Sequence, residues 1–345
     1  IAISATYALI GIPACIMILA QGRVFYHKEY WKFCVALAIP AVFHNLSDLI
    51  LGQSDQVMLQ QMLGDATVGH YALAWTFGNF LFIIFGALNE QSIAWKVAVK
   101  AVEEGATITL SNTAIAIRMG QVNELAKQLN CEVIAADATS YEDLEEVFKR
   151  SQEVLGGKID FVLHSIGMSP NVRKGRAYDD LDYNMLNKTL DISAISFHKM
   201  LQAAKKLDAL AEYGSVVALT YMAAQRTVFG YNDMADAKSL LESIARSFGY
   251  VYGRERKVRI NTISQSPTMT TAGSGVKGID KLFDYAERLS PLGNASAEEC
   301  ADYCVVMFSD LTRKVTMQNL YHDGGFSSMG MSLDAMTIYE KGLED

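Results

Sequence analysis

The order of apolar and polar positions divides the chain into two parts. Through residues 1–85 long apolar runs are broken by short polar segments, whereas from residue 86 onward short apolar stretches alternate with amphipathic ones. The apolar runs are residues 1–20, 33–52 and 66–85. About 20 apolar helical residues cross a bilayer core of about 30 Å, so the pattern predicts about three membrane-type helices. The second run carries Pro40, His44, Asn45 and Asp48, and polar residues at that depth tend to line a pathway. Three helices cannot enclose one, so transport by this chain is not expected. Arg23, Lys28 and Lys32 lie between the first two runs, while the next connection, GQSDQVMLQQMLGDA, has no Lys or Arg. Basic residues favour the cytoplasmic side. Everything after residue 86 is therefore expected in the cytoplasm, with inner-membrane attachment through residues 1–82 if that segment inserts.

Beyond the join the alternation predicts strands near 81–86, 106–111, 132–136, 159–166, 214–220, 257–263 and 316–321. Helices are predicted near 92–104, 118–129, 141–155, 180–208, 231–252 and 297–309. Strands alternating with helical crossovers imply an α/β, doubly wound, Rossmann-like parallel sheet. The domains are then 1–82, a hydrophobic helical segment, and 83–345, the Rossmann part. Around the join, FLFIIFGALNEQSIA reads from the left as the end of a spanning helix and from the right as a buried first strand. No Pro, Ser or charge-rich linker separates the two, which reads as a chimera.

Composition adds exclusions. The chain has 345 residues, half of them hydrophobic, and a net charge of −8, so no nucleic-acid partner is expected. Its five cysteines, Cys15, Cys34, Cys131, Cys300 and Cys304, form no disulfide framework. Cys300 and Cys304 stand one helical turn apart without a His or Cys neighbour; they read as packing residues, and no metal site is expected.

The candidate chemistry is concentrated in residues 220–239, TYMAAQRTVFGYNDMADAKS. Six residues separate Tyr231 from Lys238, about two helical turns, so both project from one face. A phenol beside an ammonium is a proton-donor arrangement; the cation is expected to lower the tyrosine pKa and can hold a cofactor hydroxyl. Taken alone, such a pair is more often two solvated helix residues. The first turn lacks a full GxGxxG pattern, but Gly86 permits a tight strand exit and Ser92 can cap a helix whose N-terminus faces a pyrophosphate. Asp137 can accept a bond from an adenine amine. No acid ends the second strand, TITLSNT, and Arg118 lies too far along to bind a 2′-phosphate, so NADH is favoured over NADPH.

The segments GALNEQSIAW, AADATSYEDLEEVF, FVLHSIGMSP, LTYMAAQRTVFGYNDMADAKSLLES, VRINTISQSPTMTTAGSG and YHDGGFSS resemble, in order, the bacterial enoyl-acyl-carrier-protein reductases of the short-chain dehydrogenase/reductase superfamily. The six-residue gap fits this family, where other members of the superfamily have three, and Tyr221 stands near the place of their catalytic serine. The resemblance implies an NADH-dependent reduction of a trans-2-enoyl thioester in type II fatty-acid biosynthesis. Tyr231, Lys238 and Tyr221 would be catalytic: Tyr231 donating to the thioester oxygen, Lys238 holding the nicotinamide ribose, Tyr221 contacting the acyl end. Gly86, Ser92, Ile93, Asp137, Ala138, Ile166 and Thr268 match cofactor-contacting positions. Thr268 and Thr270 open a lid at about 268–293, and Met222 and Met234, otherwise packing residues, flank the acyl pocket. Lys277 and Lys281 match positions that meet the acidic carrier protein, although Asp280 breaks that basic pattern. A homotetramer is implied, with helices 231–252 and 180–208 as its faces.

Some residues read more simply. His164 is a strand-end residue with structural hydrogen bonds, Asp323 opens a turn, and Arg173, Lys174 and Arg176 form a solvated loop. The first part, through YWKFCVALAIPAVFHNLSDLILGQSDQVMLQQMLGDATVGHYALAWTFG, resembles a fragment of the polysaccharide (O-antigen type) flippases. The rival readings are a membrane protein fragment with an inert soluble half, and a short-chain dehydrogenase acting on a ketone or alcohol.

Overall fold

The computed structural model describes residues 81–86, 90–268 and 279–344. The first two apolar runs, most of the third, Thr270 and Lys277 lie outside the described residues. Among the described residues no helix is long and apolar enough to cross a membrane.

Seven strands form one sheet: β1 (Leu81–Gly86), β2 (Thr107–Asn112), β3 (Glu132–Ala135), β4 (Ile159–Ser165), β5 (Leu210–Thr220), β6 (Arg259–Gln265) and β7 (Asn319–His322). Their spatial order is β3-β2-β1-β4-β5-β6-β7, and every pairing is parallel. β1 is central: Ile84 pairs with Leu110 of β2 on one side and Leu163 of β4 on the other. This decides the join. Reading residues 66–85 as one spanning helix fails over Leu81–Phe85, because their backbone groups are committed to two neighbouring strands.

Both faces of the sheet are covered, which explains why the central strands are nearly continuous apolar runs. Along β5, Val216 and Ala218 join a core with Phe148, Phe197 and Leu241. The alternate residues Val217 and Leu219 join the opposite core with Trp95, Leu125 and Phe308. This is the period-two alternation of a strand between two helical layers. Cys300 and Cys304 are buried in the second core, and among the described residues no cluster of His, Cys, Asp and Glu could hold a metal.

The helices follow their local signals. Ser92 caps Ile93–Glu103 by accepting from Trp95 N at 3.2 Å, and Ser296 with Glu299 forms a capping box on Ala297–Phe308. Two expected helices are broken. The one near 118–129 becomes Ala114–Arg118 and Gln121–Gln128, parted by Gly120 at φ 86°, a left-handed conformation that glycine tolerates. The one near 180–208 becomes Tyr183–Leu190 and Ser196–Lys206, joined by a π-turn at Asp191–Ile195. β5 begins earlier than expected, with a register shift against β4 between Ile159 and Phe161. At Gly214 a Cβ would fall 2.8 Å from Asp160 O, so the irregularity requires glycine. The helices Ile279–Leu289 and Leu333–Glu344 were not among the predicted ones.

Candidate active site

In a doubly wound sheet the loops at the carboxyl ends of the strands diverge and leave a crevice. Here the ends of β4, β5 and β6 border a cavity of about 250 Å³, lined among others by Ile166, Tyr221, Tyr231, Lys238 and Thr268. The helix Asp233–Arg256 brings Lys238 beneath it, and Tyr231 sits in the turn just before that helix.

The two tyrosine rings lie 4.9 Å apart, centroid to centroid, tilted by 50°. Tyr221 is buried, and its hydroxyl has no hydrogen-bond partner among the described residues. An unpartnered buried hydroxyl costs about 1–3 kcal/mol, which a ligand accepting or donating there would recover. Burial raises the pKa of Tyr221, helped by Tyr231, and burial alone raises that of Tyr231. The expectation that Lys238 lowers the Tyr231 pKa is therefore not met: desolvation outweighs the nearby cation, and Tyr231 is a neutral phenol at physiological pH. A neutral phenol is a hydrogen-bond donor.

Lys238 is only 7% exposed, and its Nζ donates to Leu219 O at 2.8 Å. Burial brings its pKa down to about 8, against the opposing pull of Glu242. Gly167 faces this lysine: a Cβ there would meet Met234 Cε at 2.7 Å and Lys238 Nζ at 3.6 Å. His164 is fully buried, with Nε2 3.0 Å from Ser196 Oγ. Since Ser196 donates to Ile192 O, the imidazole donates from Nε2. Burial, reinforced by the Lys238 charge, holds its pKa near 3, so it stays neutral.

Of the other sequence-predicted residues, Ile93, Ile166, Met234 and Thr268 line the cavity. Gly86 ends β1 opposite Ser165. Ser92 caps its helix, while Asp137 and Ala138 follow β3 outside the cavity lining. Bonds from the Thr139 backbone and hydroxyl hold the Asp137 carboxyl below its usual range. Met222 does not line the cavity but packs with Ala286, Leu289 and Phe326. Lys281 is exposed on the Ile279–Leu289 helix. Asp323 accepts from Gly325 N and Ser327 N, closing a turn. Arg173, expected in a solvated loop, borders the cavity.

Three supporting residues escaped the sequence reading. Asp233 is fully buried and accepts from Ser169 (2.6 Å), Asn171 (2.9 Å) and Thr189 (2.8 Å), joining the wall after β4 to the helix that carries Lys238. Gln265 donates to Thr268 Oγ1 at 3.2 Å and accepts from His322 Nδ1 at 2.7 Å. Glu242 accepts from Thr220 and Gln225. Only Glu242 left a signal, its i+4 spacing from Lys238.

Comparison with known proteins places this geometry. Residues 86–327 match the family described as enoyl-(acyl carrier protein) reductase. The chain is 32% identical over 259 residues to enoyl-[acyl-carrier-protein] reductase [NADH] 1 of Rhizobium meliloti, covering 74% of this chain and 93% of that protein. It is 32% identical over 251 residues to the FabI reductase of Rickettsia bellii, covering 72% and 94%. The crystal structure of a FabI–NADH complex from Alistipes finegoldii superposes with a TM-score of 0.74 at 70% identity, covering 77% of this chain and 93% of that one. The NADH-dependent enzyme from Aquifex aeolicus superposes with a TM-score of 0.68 at 29% identity, covering 74% and 98%.

Proposed function

The chain belongs to the enoyl-(acyl carrier protein) reductase family, and from that membership we infer that it catalyses the NADH-dependent reduction of trans-2-enoyl thioesters in fatty-acid biosynthesis. One observation carries the reading onto this chain's own residues: the paired Tyr221 and Tyr231 rings stand beside buried Lys238 in a cavity at the carboxyl ends of the strands.

The residues present fit the cofactor. An ammonium has three N–H donors; one of Lys238's goes to Leu219 O, which leaves donors for ribose hydroxyls. Gly167 has no room for a side chain, since a Cβ would fall 2.7 Å from Met234 Cε, and its bare backbone keeps this wall of the cavity close to Lys238. The Ser92-capped helix presents its N-terminus beyond β1, suited to a pyrophosphate. NADH, when bound, supplies the hydride that reduces the β-carbon of the enoyl thioester. Ile93, Ile166 and Thr268 line its place, with Gly86, Ser92, Asp137 and Ala138 along the rest of its length.

Tyr231 donates a hydrogen bond to the thioester oxygen, where negative charge grows in the transition state. A neutral donor fixed in a desolvated site is worth more there than in water. Lys238 holds the ribose and keeps a positive charge close to that oxygen. Tyr221 offers its unpartnered hydroxyl to the acyl end, and Met234, Val172 and Leu219 give the chain an apolar wall. Met222 supports this wall from behind, through its packing on the Ile279–Leu289 helix. The carrier protein docks near that helix, with Lys281 on its exposed side and Lys277 in the segment before it, while Thr270 belongs with the substrate-contacting lid residues. We assign catalysis to the cytoplasm and the active form to a homotetramer.

The test follows NADH oxidation by absorbance with a trans-2-enoyl thioester. Tyr231→Phe is expected to lower kcat by about 100-fold or more while NADH still binds. Turnover by the Phe variant at the wild-type rate would remove Tyr231 from the chemistry. Turnover of ketones in preference to enoyl thioesters would overturn the activity itself.

A further inference from the structure

The helix Asp233–Arg256 grips the end of β5 twice. Lys238 bonds Leu219 O, and one turn later Glu242 accepts from Thr220 Oγ1 at 3.0 Å. The second carboxylate oxygen of Glu242 accepts from Gln225 Nε2 at 2.8 Å. Thr220 and Gln225 flank residues 221–224, the short turn that begins with Tyr221. Gln225 is itself oriented from β7, since Tyr321 donates to its Oε1 at 2.9 Å, which turns its amide nitrogen toward Glu242.

Glu242 is only 3% exposed and Thr220 5%. A buried carboxylate is costly unless its oxygens are satisfied, and here each oxygen has one donor, both from the turn that carries Tyr221. Among the described residues, Tyr221 itself has no bond that would fix its hydroxyl. Its direction is therefore set by the backbone of that turn and by the ring of Tyr231.

We propose that Glu242 is a positioning residue that aims the Tyr221 hydroxyl into the cavity by holding both ends of the Tyr221 turn to the helix bearing Lys238. The inference rests on the assignment of Tyr221 to the acyl end of the substrate. Glu242 touches neither substrate nor cofactor, and its effect passes through Tyr221.

The experiment measures kcat and KM for an enoyl thioester, and the Kd for NADH, in Glu242→Ala, Glu242→Gln, Gln225→Ala and Tyr221→Phe, alone and combined. Glu242→Ala is expected to lower kcat/KM for the thioester by about tenfold, and Gln225→Ala to act in the same direction. NADH affinity is expected to hold in both. Glu242→Gln keeps an acceptor for Gln225 and, by turning its amide, a donor for the Thr220 hydroxyl, so it is expected to retain most of the activity. Adding Tyr221→Phe to Glu242→Ala or to Gln225→Ala is expected to cost less than Tyr221→Phe alone, because the hydroxyl is already misplaced. Additive losses would overturn the inference while leaving the role of Tyr221 intact. A silent Tyr221→Phe would overturn both. Equal losses in Glu242→Gln and Glu242→Ala would assign the effect to negative charge beside Lys238 instead of to position. If Glu242→Ala does not fold, the Gln225→Ala and Tyr221→Phe pair decides, since Gln225 is exposed.

Discussion

Lys238 sits where its own charge is penalised, with burial bringing its pKa from 10.5 to about 8. The group is a cation below about pH 8 and neutral above it, so a ribose held by an ammonium is held best on the acid side. The Kd for NADH is expected to rise as pH passes through about 8, and a fluorescence titration between about pH 6 and about pH 10 measures it. A Kd flat across that range would show that the charge on Lys238 does not hold the cofactor. His164 does not contribute to this limb, because it titrates near 3. At this scale the sequence put Tyr231 and Lys238 seven positions apart on an expected helix 231–252, whereas Tyr231 lies in the turn before the helix Asp233–Arg256 and helical spacing does not by itself account for their shared cavity. The sequence could not show the sign of the Tyr231 shift, which depends on how completely the cavity walls exclude water.

At the scale of elements, the π-turn Asp191–Ile195 shows what a periodic pattern hides. Residues 180–208 are apolar at helical spacing throughout, yet the helix widens by one residue where Ser193 must reach the cavity wall. Ser193 Oγ accepts from Met168 N at 3.0 Å and donates to Met168 O at 3.1 Å, securing the backbone of the loop after β4. Such single-turn bulges recur at functional sites. Ser193→Ala is expected to destabilise the fold by about 1–3 kcal/mol, because it strips partners from both backbone groups of Met168. Thermal unfolding measures this, and an unchanged Tm would show that the loop holds by other means. β1 makes the converse point: LFIIFG is equally apolar as helix or strand, and its partners β2 and β4 make it a strand.

For the whole molecule, the central place of β1 sets an expectation for the residues before it. A chain beginning at Phe80 retains the whole of β1 and every pairing recorded for it. It is expected to turn over the thioester as fast as the full chain and to elute as a tetramer in light scattering. Loss of NADH binding in the shortened chain would show that the reductase fold needs residues before Phe80. If residues 1–82 insert, as their apolar runs suggest, the full chain is expected in the membrane fraction, and a full chain found wholly in the supernatant would refute insertion.

The sequence by itself determined the class of fold and the order of its strands, because hydrophobic period is a local property, and it held Tyr221, Tyr231 and Lys238 within one short segment. Tertiary structure alone decided the state of the join, the breaks in two helices, and the protonation of Tyr231. It also decided which polar groups support the site: Asp233, Gln265 and Glu242 bond residues 22 to 64 positions away. Such partners become neighbours only when parallel crossovers bring the strand ends together, and no periodicity along the chain records that meeting.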